Sequence, residues 1–572
     1  MLTKSMRPAR KYVSEEFTIS NWSDVEYYLL ELNSRKLITI HDFRKWLLDK
    51  SELEAILEED FAWRYIRMTI DTTDEEKKQQ YTFFIDEIQP KLATYSDLLN
   101  RKMMHSDFTK QLTTESYQIY FRTIGTTIDI FRKENISIQS EILKLNQSYS
   151  QITGKQTINY KDEIITMQQA SVYLQHKDAQ IRSMIFESMW KRRSDDIKKF
   201  DDLFSQLIQL RHQIALNAGF ENYRDYKFHE MGRFDYSKED CFQFHQAIKD
   251  EIVPLVREIQ KRKAKELGKK RLKPWDLEVD STGKDPLKPF SNGSELLHKT
   301  IQVFNSIDPF FGNCLSTMNE LKHLDLESKL GKAPGGYNYP LYEIGIPFIF
   351  MNAAGTHRDM VTMIHEGGHA IHSFLSKDLE LTGFKNLPSE VAELASMSME
   401  LISMNHWNVF YPNKEDLIRA KKEQLETILK ILPWIALIDE FQHWLYENPN
   451  HSISQRQSKW TELQNGYSTG LIDWVDFEEA QAYAWQRQLH LFEVPFYYIE
   501  YGMAQLGALA IWRNSQNDFQ TAIASYKDAL RLGYTCSIPK IYEAANIKFD
   551  FSQPYVRELS QFIKKYLNKS LS

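Results

Sequence analysis

The sequence predicts a mainly helical protein with one small β-sheet, and three observations lead there. Apolar residues recur at spacings of three and four through most of the 572 residues. Glycine and proline are sparse across residues 80–260. Only near residues 331–351 does the pattern change to a short extended run.

Taken in order, Ser23-Asp24-Val25-Glu26, Ser51-Glu52-Leu53-Glu54 and Thr73-Asp74-Glu75-Glu76 each read as a capping box opening an amphipathic helix. No self-similarity at a period of about 34 or 40 residues follows, so a repeat solenoid is not expected. A first break falls at residues 274–293, from Lys273-Pro274-Trp275 to Asn292-Gly293. The basic run before it, Lys261-Arg262-Lys263 to Lys269-Lys270-Arg271, lacks aromatic interleaving and reads as a solvated helix face. A second break, Gly331 to Gly345, is rich in glycine and carries Tyr337, Tyr339 and Tyr342. Ile346-Pro347-Phe348-Ile349-Phe350-Met351 then reads as a strand, with Pro347 assigning it to a sheet edge. An edge strand can pair with an extended peptide, although the same pattern also suits a plain hairpin with no ligand role. Thr356-His357-Arg358-Asp359 starts a helix running to about Ser376, and from Pro388 the helical pattern resumes.

Composition excludes several classes. Net charge is -7 and the sequence pI about 6.2, which argues against a nucleic-acid surface. The aromatic share of 13% could line a groove but more often fills cores. Three scattered cysteines, Cys241, Cys314 and Cys536, form neither a disulfide framework nor a C-x-x-C metal motif, and suit a reducing compartment. Residues 1–15 are basic and polar, without a secretory signal, and no apolar run approaches the roughly 20 residues of a membrane span. A soluble, cytoplasmic protein that binds neither nucleic acid nor membrane is expected.

The run His365-Glu366-Gly367-Gly368-His369 holds the chemistry. Residues four apart on a helix share a face, about 6 Å apart along the axis, so both imidazoles can reach one zinc ion. Glu366 is placed to serve as general base toward an attacking water. Met360, Val361, Met363 and Ile364 make the other side of the helix apolar. A catalytic zinc needs a third protein ligand. His372 lies about 10 Å along the axis from His365, too far for one ion, and reads as a helix-face or supporting residue. Glu390, Glu393 and Glu400 in the next segment supply carboxylates, and spacing alone leaves Glu390 and Glu393 open. Asp359 either orients a ligand histidine or favours the helix N-terminus, and Glu400 is read as supporting a ligand.

These residues resemble the thimet-type zinc oligopeptidases (family M3), especially the oligoendopeptidase F and Pz-peptidase-like branch. The likeness rests on Pro347-Phe348-Ile349-Phe350-Met351-Asn352, Gly355-Thr356, Asp359, His365-Glu366-Gly367-Gly368-His369-Ala370-Ile371-His372 and Val391-Ala392-Glu393-Leu394-Ala395-Ser396. Lys273-Pro274-Trp275-Asp276, Phe441-Gln442-His443-Trp444, Tyr446-Glu447-Asn448-Pro449, His490-Leu491-Phe492 and Pro495-Phe496-Tyr497-Tyr498-Ile499-Glu500-Tyr501 extend it to about Phe551. One departure is Gly336-Tyr337-Asn338, where relatives often carry cysteine after the aromatic; this puts thiol-linked regulation in doubt. The resemblance implies Glu393 as third ligand, one zinc per chain, and His490, Tyr498 and Tyr501 as donors to the reacting carbonyl. It also implies a neurolysin-like, two-lobed helical fold with a small sheet beside the H-E-x-x-H helix and a deep substrate channel. Residues 1–195 would form an N-terminal helical domain and 196–572 the catalytic domain. The implied activity is cleavage of internal bonds in short, unstructured peptides. A C-terminal dipeptidase or carboxypeptidase on the same metal, and a non-catalytic peptide-binding helical protein, are the alternatives.

Overall fold

The structure, a computed structural model, describes residues 7–570 except Leu330 and Pro334. Part of the basic N-terminal stretch (residues 1–6) and Pro334 of the glycine-rich stretch thus lie outside the described residues. Helices dominate, as the periodicity predicts. Contacts group the chain into two compact units, each assembled from three stretches. The first comprises Met1–Phe131, Lys288–Ile418 and Gly507–Phe549; the second comprises Arg132–Leu287, Arg419–Leu506 and Asp550–Ser572. A cut after residue 195 falls inside the second unit.

The helix starts in the first unit differ from the expected ones. Asn21, not Ser23, caps helix Trp22–Ser34, and the Asp24 carboxylate accepts in return from Asn21 N at 2.9 Å. Ser51 lies within helix Ile40–Ile70, whose cap is Thr39 with Asp42. Its hydroxyl is buried against Thr382 Oγ1 at 3.0 Å, so tertiary packing overrides a local cap signal there. Asp74, not Thr73, caps helix Glu75–Phe83. These helices enclose a core around Phe43, Trp46, Leu57 and Phe121, which also takes in Leu381 and Phe384.

A three-stranded sheet completes this unit: β1 (Leu324–Glu327), β2 (Tyr337–Tyr339) and β3 (Phe348–Ala353), in the order β1-β3-β2. The run expected at the sheet edge is therefore the central strand. β3 is parallel to β1, with Leu324 opposite Ile349, and antiparallel to β2, with Tyr337 opposite Phe350. Pro347 stands just before the strand, where its missing N–H costs no ladder bond, and Phe348, Ile349, Phe350 and Met351 are all buried. Continuous burial on both faces is the mark of an inner strand.

Among the described residues the second unit is mostly helical, with a hairpin joining Thr157–Tyr160 to Glu163–Thr166 and an isolated bridge between Leu272 and Ile472. Its core gathers Tyr149, Phe204, Trp485 and Phe492, with Tyr149 stacked on Phe492 at 4.2 Å. The Arg211 guanidinium is buried there and donates to Tyr446 Oη at 2.8 Å and to the Leu491 carbonyl at 3.0 Å. Two basic side chains of the basic run make ion pairs within the unit, one to a buried carboxylate and one at the surface. Lys269 donates to the fully buried Asp276 at 2.5 Å, and Arg262 pairs with Glu426. Asp276 also holds Arg182 at 2.7 Å, which explains the Lys273-Pro274-Trp275-Asp276 segment as structural.

Candidate active site

The H-E-x-x-H run lies on helix His357–Ser376, here called the histidine helix. Its start is a reciprocal cap: Asp359 N donates to Thr356 Oγ1 at 3.1 Å, and Thr356 N donates to Asp359 Oδ2 at 3.0 Å. Asp359 Oδ2 also accepts from Ala354 N at 2.8 Å, so this carboxylate is engaged at the helix N-terminus.

One turn apart on this helix, His365 and His369 have ring centroids 4.9 Å apart. Helix Ser389–Ser403 supplies the carboxylates. Glu393 Oε2 lies 3.3 Å from His365 Nε2 and 3.6 Å from His369 Nε2. One nitrogen of each histidine and one oxygen of Glu393 lie within 4.8 Å of one another, a group that excludes both Glu390 and His372. Ser396 Oγ donates to Glu393 Oε2 at 3.1 Å. On the far side of the His365 ring, Nδ1 lies 2.6 Å from Glu400 Oε1. A carboxylate there orients the ring and leaves Nε2 turned toward Glu393. His372 is buried one turn past the group, and burial pushes its imidazole down to about 3.

Close helix approach makes this convergence possible. A Cβ on Gly368 would stand 2.6 Å from Ser396 Cα and 2.9 Å from the Ala395 carbonyl oxygen. One on Gly367 would meet the Phe304 ring at 2.7 Å. Gly368 thus lets the glutamate helix touch the histidine helix backbone and brings Glu393 within reach, while Gly367 makes room for Phe304 of helix Gly293–Ile307. From below, Tyr526 Oη donates to the Ala395 carbonyl at 2.8 Å and holds that helix in place.

Glu366 is 7% exposed. Asn338, in the outer strand β2, donates to its carbonyl at 3.1 Å and ties the sheet to the histidine helix. Burial is the largest influence on the Glu366 carboxyl and pushes it up to about 7; Glu393 and Glu400 add to the rise and His365 opposes it. Burial also works against a charge on Glu393, but His369 and His365 outweigh it and hold that carboxyl down at about 2.

In the second unit, His490, Tyr498 and Tyr501 come together, with His490 4.7 Å from the Tyr498 ring and 5.9 Å from the Tyr501 ring. Tyr498 and Tyr501 share one face of helix Tyr498–Asn517, with centroids 5.7 Å apart. Tyr497 stacks near His490 at 6.2 Å. Two residues that sequence reasoning passed over set the His490 ring. Trp434 Nε1 donates to Gln488 Oε1 at 2.8 Å, and Gln488 Nε2 lies 2.7 Å from His490 Nδ1. An indole N–H can only donate, so the amide oxygen must face Trp434 and the amide nitrogen must face His490. Nδ1 is then the acceptor, and the ring proton sits on Nε2. Phe496, before the tyrosine helix, is left-handed at φ 66°, a strained conformation for a bulky residue. Gln442 Oε1, which accepts from Phe496 N at 2.7 Å, and Arg233, which binds its carbonyl, hold it there. No local signal in Pro495-Phe496-Tyr497 announces that turn.

Comparison with known proteins adds context. A model of peptidase family M3 matches residues 172–561, and a model of the peptidase M3 N-terminal domain matches residues 16–131. The chain is 22% identical over 395 residues to an oligoendopeptidase F homolog of Lactococcus lactis subsp. lactis (strain IL1403), covering 68% of this chain and 58% of that protein. A homolog from Borreliella burgdorferi is 22% identical over 371 residues, covering 64% of this chain and 61% of that protein. The match thus spans only about three fifths of the length of these curated relatives. Among solved structures, Pz peptidase A with inhibitor 2 superposes with a TM-score of 0.90 at 26% identity, covering 98% of this chain and 100% of that one. Oligoendopeptidase-F from Enterococcus faecium shares the fold at a TM-score of 0.65 and 13% identity, covering 96% and 97% of the two chains.

Proposed function

We propose, from the premise that the chain belongs to peptidase family M3, that it is a zinc-dependent oligoendopeptidase hydrolysing internal bonds of short, unstructured peptides. The observation that supports this most is the meeting of His365, His369 and Glu393 beside the buried Glu366. Two imidazoles and one carboxylate, with a fourth position left to solvent, are the donor set of a hydrolytic zinc site, and one ion per chain fits it. When bound there, zinc supplies Lewis acidity that makes water a stronger nucleophile and the carbonyl a better electrophile.

The chain's own groups would carry the rest. Glu366 takes the proton of the attacking water and passes it to the leaving amine, a role that its buried place beside the two ligand histidines suits. His490, held with its proton on Nε2, donates a hydrogen bond to the oxygen on which charge develops; Tyr498 and Tyr501 donate through their hydroxyls. Glu400 keeps the His365 ring in register, and Asp359 holds the helix start. Among the described residues β2 has a strand partner on one side, so its outer edge suits backbone pairing with an extended peptide. The setting proposed is the cytoplasm; no described helix is long and apolar enough to cross a membrane.

An internally quenched peptide and its C-terminally amidated counterpart, followed by mass spectrometry, test the reading. Cleavage at the same internal bond in both is expected. Release confined to C-terminal residues, abolished by amidation, would replace it with the carboxypeptidase alternative, and no cleavage with zinc bound would favour a peptide binder.

A further inference from the structure

The second unit holds a group of metal-ligand side chains that the proposed reaction does not use. Cys241 and His245 are one turn apart on helix Lys238–Ala247; Asp439 and His443 are one turn apart on helix Lys414–Glu447. Spacing of four places each pair on a single helix face. The faces meet: Asp439 Oδ2 lies 2.8 Å from His245 Nε2 and 3.2 Å from His443 Nε2. A ligand atom from each of Cys241, Asp439 and His443 lies within 4.8 Å of the other two. None of the four residues is more than 2% exposed.

We propose that Cys241, Asp439 and His443 form a second, structural site for a zinc-type divalent cation, with His245 steadying the carboxylate from outside. The first support is the set of polar atoms with no hydrogen-bond partner: Asp439 Oδ1, His245 Nδ1 and both ring nitrogens of His443. Leaving such atoms buried without a partner is unfavourable, and a cation held by Asp439 and His443 would give a partner to a carboxylate oxygen and a ring nitrogen of this set. His443 Nε2 is close to Asp439 Oδ2 yet makes no hydrogen bond with it, which is how donors aimed at a shared third atom stand. Two ligands about 2.1 Å from a tetrahedral ion lie about 3.4 Å apart, near the observed 3.2 Å. His245, at 2.8 Å, is at hydrogen-bond distance from the same oxygen and belongs to the outer layer.

Charge points the same way. Among the described residues, the partners of Asp439 at ion-pair distance are the two imidazoles, with no lysine or arginine. A cysteine thiolate and an aspartate bring two negative charges, which one divalent cation cancels in a dry interior. Thiolate with imidazole selects zinc or cobalt over magnesium or calcium. The rings of Phe242, Phe496 and Phe228 stand 4.8, 5.4 and 5.8 Å from His443 and make an apolar wall. Phe242 itself is 41% exposed, so the path from solvent is short. An ion here would pin one helix of the unit to another.

Cobalt substitution with metal analysis tests this independently of the peptidase reading. The His365, His369 and Glu393 group has no thiol, so a thiolate-to-cobalt charge-transfer band reports the second site alone. Wild-type protein is expected to bind two equivalents, and the His365→Ala/His369→Ala double variant to keep one equivalent with the band intact. Cys241→Ser should lose the band and one equivalent. The proposal fails if the double variant binds no cobalt, or if a band survives Cys241→Ser. Because the double variant leaves the second unit untouched, the result holds even should Cys241→Ser not fold.

Discussion

Two groups of ligand-type side chains use the same local device, residues one helical turn apart, in opposite surroundings. The His365 and His369 side chains keep 20% and 19% exposure. Cys241, Asp439 and His443 are sealed, at 2% or less. In the first group a carboxylic acid, Glu366, follows the first histidine; in the second, Phe242 follows Cys241 and Glu440 follows Asp439, with Glu440 tied to Lys249 and Tyr467. On the proposed reading, the difference teaches that the first group suits catalysis because solvent and the Glu366 carboxyl can both reach it. A closed set can only hold the fold together.

The sharpest way to break this comparison is to remove the base and leave the ligands. Glu366→Gln should lower kcat about 10³-fold with zinc content unchanged; a parental rate would strip Glu366 of that role. Next in size is the positioning of His490. Gln488→Glu keeps the side-chain shape but can only accept, so the His490 proton moves to Nδ1. The expected kcat loss is about 10²-fold with KM within about threefold, as for removal of one oxyanion donor. Nitrogen-15 NMR of labelled histidine gives the matching readout: a bare Nδ1 in the parent and a protonated one in the variant. An unprotonated Nδ1 in both would refute the relay from Trp434.

Helix contact ranks third. Gly368→Ala forces a Cβ to within 2.6 Å of Ser396 Cα and should cost about 1–3 kcal/mol in unfolding free energy, with weaker zinc binding. As the control of smallest effect, Gly125→Ala, in helix Glu115–Ile130 with nothing within 4 Å of the new Cβ, should stabilise by about 0.5–1 kcal/mol. Equal effects at both positions would mean that the close approach of the two helices is not what Gly368 serves. Exposure itself is checked by brief treatment with a weak chelator. Cleavage should disappear while the thiolate-to-cobalt band persists; loss of the band first would reverse the ranking of the two sites.

Much of the helical architecture and the histidine helix were legible because both follow from local spacing. A helix puts residues four apart on one face whatever surrounds it, so His365 and His369 could be paired on sight. Cap signals were legible only approximately. Asn21 and Asp74 displaced the expected caps by one or two residues, and Ser51 was drawn into a continuous buried face against Thr382. Pro347 suggested an edge strand, but a proline one residue before a strand leaves the ladder intact, and burial made β3 central.

By itself, then, the sequence determined the helix with its two imidazoles and adjoining acid, and the mostly helical class. Those are properties of neighbours along the chain. Spacing left Glu390 and Glu393 open and the resemblance implied Glu393; tertiary structure put Glu393 against the histidines, set Glu400 behind His365 in particular, and had Trp434 orient Gln488 and through it His490. It also brought His245 to Asp439 across 194 positions. The reason is geometric: a side chain's periodicity tells which face it occupies, but only the packing of one backbone on another, as at Gly368 against Ser396, tells what that face meets.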